Sequence, residues 1–157
     1  MKIKKEQKTQ PKKPIFRNAV FAVTYKKENG KIEYLILKRK LHWIGWEFPK
    51  GGVEKNENTK AAVRREVYEE SGNRAIKISS YPVKGKYHYK KMFPDRPGTV
   101  GQFYSLWSAE IPSDSKIRID SREHSAYLWL PFNEAMQKLT FDNQKKSLSF
   151  VNKILVK

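Results

Sequence analysis

Cysteine is absent from the 157 residues. Disulfide staples, thiolate zinc sites and a cysteine nucleophile are therefore excluded. Long apolar runs are absent too: no stretch reaches about eighteen residues, so no membrane-spanning helix is predicted. The opening MKIKKEQKTQPKK holds no apolar segment of the kind that directs secretion, and a cytoplasmic location is expected. Acidic residues are few. Sixteen Asp and Glu face 33 Lys and Arg, for a formal net charge of +17. Six Lys and one Glu fall in residues 1–13, but most of the excess is spread along the rest of the chain. Such a field draws phosphate-rich partners and speeds their arrival, without choosing between nucleotides, RNA and inositol phosphates. The plainer alternative is a lysine-rich surface with no partner in view.

The length suits one domain with a substantial core. Residues 1–14 are polar and basic and read as a flexible arm, leaving residues 15–157 as the domain. Residues 19–25 and 32–38 are rich in β-formers, and Glu28-Asn29-Gly30 between them signals a turn longer than two residues. Residues 42–49 are aromatic and apolar and lead into a loop at Lys50-Gly51-Gly52. Asn58 or Thr59 can cap a helix running to about Ser71, with Gly72 just past its end. A strand is expected at 76–83, and a loop or distorted hairpin at 87–101, where Pro94, Pro97 and Gly98 fall among basic and aromatic residues. Strands at 102–111 and 123–130 and helices at 133–139 and 143–156 complete the reading. There is no regular βαβ alternation, so the expected class is α+β, layered as an α/β/α sandwich.

The helix at 59–71 holds Glu66, Glu69 and Glu70, three and four positions apart and so on one face. Like charges at that spacing destabilise a helix by a few tenths of a kcal/mol per pair. They also lie in its C-terminal half, where the helix dipole disfavours anions. Local stability gives no reason for three acids here in so basic a chain. A divalent cation does, since magnesium takes oxygen ligands from one or two carboxylates plus substrate phosphates. Taken alone, the same three residues would sooner read as a solvated, salt-bridged face, since acidic helix faces are common.

The surroundings decide. Gly51 is followed after five residues by Glu57, after seven more by Arg65-Glu66-Val67, then after one by Glu69-Glu70 and after one by Gly72. Chance agreement of these residue types is on the order of 10⁻⁸ per starting position. The pattern resembles the Nudix box, with one departure: Asn73 stands where the family usually has an aliphatic residue. The resemblance implies a loop–helix–loop on a mixed β-sheet flanked by helices. It implies that Glu66, Glu69 and Glu70 bind Mg²⁺, with Mn²⁺ as a substitute, joined by the backbone carbonyl of Lys50. It pairs Arg65 with Glu57 as a brace between loop and helix. It implies attack of water on a nucleoside diphosphate derivative, a reaction that needs no nucleophilic side chain.

A general base is still wanted. The segment Glu123-His124-Ser125-Ala126-Tyr127-Leu128-Trp129 resembles one that, in several branches of the family, opens on a glutamate acting as base or further metal ligand; Glu123 is the candidate. WEFPKGGVE at 46–54, EHSAYLWLP at 123–131 and LTFDNQK at 139–145 together resemble the asymmetrically cleaving diadenosine tetraphosphate hydrolases. That implies hydrolysis to ATP and AMP. A close branch, the RNA 5′-pyrophosphohydrolases, carries a related segment and is the alternative; a non-catalytic nucleotide- or RNA-binding module is a further one, at odds with the intact glutamates. Arg39, His42, Lys50 and Gly51 flank the box loop and could meet phosphates, while Tyr87, Tyr89 and Phe141 could stack a base. For each aromatic the alternative is core packing, and for each lysine a solvated surface. The oligomeric state is open, with a monomer favoured.

Overall fold

Seven consecutive buried residues, 19–25, make β1 (Ile15–Glu28) the middle of a sheet covered on both faces. The computed structural model describes residues 13–157, so nearly all of the expected arm lies outside the described residues. β2 (Lys31–Arg39), β3 (Gly45–Glu47), β4 (Lys50–Gly52), α1 (Thr59–Ser71), β5 (Lys77–His88), β6 (Thr99–Glu110), β7 (His124–Leu130), α2 (Phe132–Lys138) and α3 (Asp142–Leu155) follow in order. The path β3-β2-β1-β6-β5 runs through the sheet, with β4 added on β1 and β7 on β2. β1 and β6 are parallel and the other pairs antiparallel, so the sheet is mixed.

Side chains alternate along β1, and the two sets enter two cores. Phe21, Val23 and Tyr25 pack with Leu148 and Val151 of α3, while Val20 and Ala22 pack with Ala62, Val63 and Val67 of α1. Each fully buried valine or leucine is worth about 1.5–3 kcal/mol. Helices thus cover both faces, as the layered α+β class requires. No helix among the described residues is long and apolar enough to cross a membrane.

Two local expectations are corrected and a third is narrowed. The turn between β1 and β2 is two residues, not longer: Glu28 pairs with Lys31, and Asn29 and Gly30 take φ of 51° and 76°. That is the geometry an Asn-Gly hairpin turn favours, and the charged strand ends had hidden it. Residues 50–52 form a strand on β1 instead of a loop; the glycines signal a turn locally, but the ladder with residues 19–21 prevails. Of the loop or distorted hairpin expected at 87–101, the structure has the hairpin: β5 continues through Tyr87 and His88, β6 begins at Thr99, and residues 89–98 connect them. The β5–β6 register shifts between Ser80 and Lys84, where Pro82 cannot donate to the ladder.

Candidate active site

Helix α1 begins and ends on local signals. The side chain of Asn58 accepts from the Ala61 amide at 2.8 Å, and Gly72 closes the helix with φ of 75°. Ala62, Val63 and Val67 set the face that meets the sheet. Glu70 is fully buried, Glu66 nearly so, and Glu69 is half exposed. β4 lies directly against this face. A Cβ on Gly51 would overlap the Glu66 carboxylate, so any larger residue there would have to displace it. One position earlier, the Lys50 amide donates to Glu70 Oε2 at 3.1 Å.

Arg65 braces the loop. It donates to both Glu57 oxygens at 2.8 and 2.9 Å, to the Gly52 carbonyl at 2.8 Å, to Glu66 Oε1 at 2.7 Å and to Glu69 Oε2 at 3.2 Å. The hydrogen bonds from Arg65 hold the Glu57 carboxyl below its ordinary value. Burial pushes Glu66 up to about 7, against the pull of Arg65. Burial likewise pushes Glu70 well up, and neighbouring Glu66, Glu47 and Glu123 add to it. Glu123 immediately precedes β7, whose pairing with β2 brings it across the sheet. Oxygens of Glu70 and Glu123 and a ring nitrogen of His124 all lie within 4.8 Å of one another.

This donor set fits a divalent cation. Glu70 Oε1 is buried without a hydrogen-bond partner among the described residues, as is His124 Nδ1. Crowded carboxylates pushed upward by one another are stabilised by a positive ion. Glu69 sits at the rim, held by Arg65 and outside the Glu70–Glu123–His124 group.

Beside the carboxylates opens a cavity of about 540 Å³. His42, Lys50, Tyr87, Tyr89 and Phe141, all singled out from sequence, line it, together with Trp43 and Phe93. Lys50 Nζ lies 4.4 Å from the centre of the Trp43 ring and 3.5 Å from Tyr87 Oη. Gln102 ties Tyr87 to Tyr89, accepting from the first and donating to the second at 2.9 Å. His42, in left-handed backbone at φ 69°, reaches Asp95 at 2.9 Å. Arg39 lies off this cavity: only 3% exposed, it stands between Glu47 and Glu123 and lines the adjoining recess instead.

A smaller recess joins the cavity to the carboxylates and holds Gly51, Glu66 and Glu123 with Arg17 and Arg96. Neither arginine forms an ion pair with a carboxylate among the described residues. Burial lowers the pKa of Arg17 and the charge of Arg96 lowers it further. Arg17, Trp43, Glu47, Arg96, Gln102 and His124 are the site residues that the sequence reading did not single out. His124 and Glu47 carried a signal there, inside the EHSAYLWL and WEFPKGGVE segments, as did Gln102 next to Gly101 and Arg96 at the end of the basic, aromatic stretch.

The NUDIX domain family model matches residues 15–150. The chain belongs to the Nudix family. It is 30% identical to an RNA pyrophosphohydrolase of Nitratiruptor sp., over 78% of this chain and 84% of that one. It is 35% identical to an asymmetrical bis(5′-nucleosyl)-tetraphosphatase of Rattus norvegicus, over 78% and 80%. Its fold matches a C. elegans Ap4A hydrolase binary complex with a TM-score of 0.71 at 22% identity, covering 88% of this chain and 97% of that one. The Nudix helix is α1, and the Nudix loop is β4 with the segment that Arg65 ties to it.

Proposed function

We propose that this Nudix enzyme is a Mg²⁺-dependent hydrolase of dinucleoside polyphosphates that splits diadenosine tetraphosphate into ATP and AMP. The observation that carries the reading is the adjoining of two compartments. An aromatic cavity of about 540 Å³ meets a recess of carboxylates and arginines, with Lys50 and Trp43 lining both. One compartment suits a nucleobase and the other a chain of phosphates. Two relatives named as asymmetrical tetraphosphatase and RNA pyrophosphohydrolase support the reaction class.

In this reading Glu66, Glu69, Glu70 and Glu123 hold the metal, with the Lys50 carbonyl. When bound, the ion screens the phosphates and makes a neighbouring water more acidic. Tyr87, Tyr89 and Phe141 stack the adenine. Lys50, Arg17 and Arg96 orient the phosphate chain. Glu123, beside Glu70 and open at 31% side-chain exposure, accepts the proton of the attacking water. Arg65 and Glu57 keep the loop on the helix and touch no substrate. Residues 15–157 form the Nudix domain of a cytoplasmic monomer, and residues 1–14 a basic arm.

Removal of pyrophosphate from 5′-triphosphorylated RNA is the second reading, favoured by Lys90 and Lys91 on the cavity wall, which suit the backbone of a following nucleotide. Competition between equal diadenosine tetraphosphate and triphosphorylated RNA, read as kcat/KM, separates the two. A large preference for RNA overturns the first reading, and cleavage of neither with Mg²⁺ or Mn²⁺ overturns both.

A further inference from the structure

Glu47 is a charged residue in a strand of three, and its side chain is fully buried. Burial alone would raise its pKa, but Lys50, His124 and Arg39 outweigh it and hold the carboxyl down to about 2. A buried carboxylate is stabilising only where its partners are fixed, and an apolar residue of the same size often serves stability better. The partners of Glu47 belong to the two compartments of the site.

Its Oε1 accepts from the indole nitrogen of Trp43 at 2.9 Å, and Trp43 is a wall of the aromatic cavity. Its Oε2 meets Arg39 Nη1 at 3.4 Å and His124 Nε2 at 3.2 Å. The same Arg39 nitrogen stands 3.6 Å from Glu123 Oε2. A strong guanidinium–carboxylate hydrogen bond is about 2.7–2.9 Å long. Arg39 Nη1 is therefore shared between two carboxylates and tight on neither. Its Nε is pinned to the Leu41 carbonyl at 2.8 Å, so the guanidinium can pivot but not leave. Trp43 is also 4.5 Å from Arg39 across its ring. Any shift of the indole by a ring stacked in the cavity is felt at Glu47 and passed through Arg39 to Glu123.

We infer that Glu47 is a positioning residue coupling the two compartments, so that a base in the aromatic cavity sets Glu123 for the metal and the attacking water. The inference rests on the proposed assignment of the cavity to a base and of the carboxylates to a metal. Its substance is a thermodynamic coupling, which must be reciprocal: the base changes metal affinity by the same factor as the metal changes base affinity.

Adenosine and Mn²⁺ test this without turnover, since adenosine has no phosphate with which to touch the ion. Calorimetric titration of the whole protein with Mn²⁺, with and without saturating adenosine, is expected to show affinity tightened by about five- to tenfold. Trp43→Phe keeps a ring in the wall but loses the N–H, and Glu47→Gln loses the charge; both are expected to bring the factor near one. A Glu47 that only supports the fold would lower both affinities or the melting temperature without changing that factor. No coupling in the wild type, no adenosine binding, or a full factor retained in Trp43→Phe overturns the inference. Coupling without hydrolysis of any nucleoside polyphosphate would overturn the enzymatic reading and leave the inference standing, while hydrolysis without coupling would do the reverse.

Discussion

The amide of Lys50 donates to one oxygen of Glu70 at 3.1 Å, while the other oxygen is buried without a partner among the described residues. The contact joins β4 to α1. It also divides the carboxylate into a structural half and a half free for a cation. Glu70→Gln keeps a group of the same shape, so the protein should fold with unchanged circular dichroism. It removes the charge, and kcat should fall by about 10²-fold or more, beyond the loss usual for groups that only support a metal ligand. Glu123→Gln should cost less and should change the shape of the pH–rate profile. Wild-type activity in Glu70→Gln, or an unaltered profile in Glu123→Gln, would remove the roles given to them.

Without metal, stability should depend on pH in a definite direction. The carboxyl of Glu66 is raised from an ordinary value of 4.5 to about 7. Between those values the unfolded chain has released a proton that the folded chain keeps, so stability falls as pH rises through the window. Glu70, also raised, acts in the same sense. Glu47 and Glu57, both held low, lose their contribution only below about pH 4.5, outside the window. His42, lowered by burial, acts in the opposite sense toward the upper end but equally in wild type and variant. The melting temperature of the metal-free protein should fall more steeply between pH 4.5 and 7 than that of metal-free Glu66→Gln, and equal slopes would contradict the assignment. Added Mg²⁺ should stabilise the wild type most at the upper end of the window.

Gly51→Ala tests the close approach of β4. The new methyl would coincide with the Glu66 carboxylate, which Arg65 holds in place. Overpacking of this kind costs about 1–3 kcal/mol. A lower melting temperature and a weakened response to Mg²⁺ are expected together. Glu66→Ala in the same chain should recover stability without activity.

Arg17 and Arg96 have charge and, among the described residues, no carboxylate to spend it on. If they meet the phosphate chain, Arg17→Ala should raise KM for diadenosine tetraphosphate by about tenfold or more, the range of a hydrogen bond to a charged group. kcat should change less, and the salt dependence of KM should weaken. An unchanged KM would leave the pair with no part in binding.

Sequence reached the parts of this site whose signals are local. Asn58 and Gly72 bound a helix by their own chemistry, and the spacing of Arg65, Glu66, Glu69 and Glu70 puts them on one face whatever else the chain does. Arg39 shows the limit. Its place beside the box loop suggested phosphate, and it does line the recess, but its burial between Glu47 and Glu123 depends on the pairing of β2 with both β3 and β7. That Arg17, Arg96 and Gln102 share one recess stayed hidden because they come from separate segments that meet only when β1, β5 and β6 are in register. The Asn-Gly turn was legible in type but not in length, since Lys26, Lys27 and Glu28 continue the strand without an apolar pattern to mark it.

The parallel pairing of β1 with β6 has a consequence in time. Arg17 lies beside Gln102 only after the long intervening segment, including α1, has closed back on the first strand. Distant contacts of this sort form slowly compared with a helix, because the loop-closure cost precedes the gain. The Nudix helix can therefore exist before there is anywhere for a nucleotide to bind. In refolding followed by two probes, the helical signal should recover first and quenching by a bound nucleotide should lag behind it, so ligand capture reports the finished sheet.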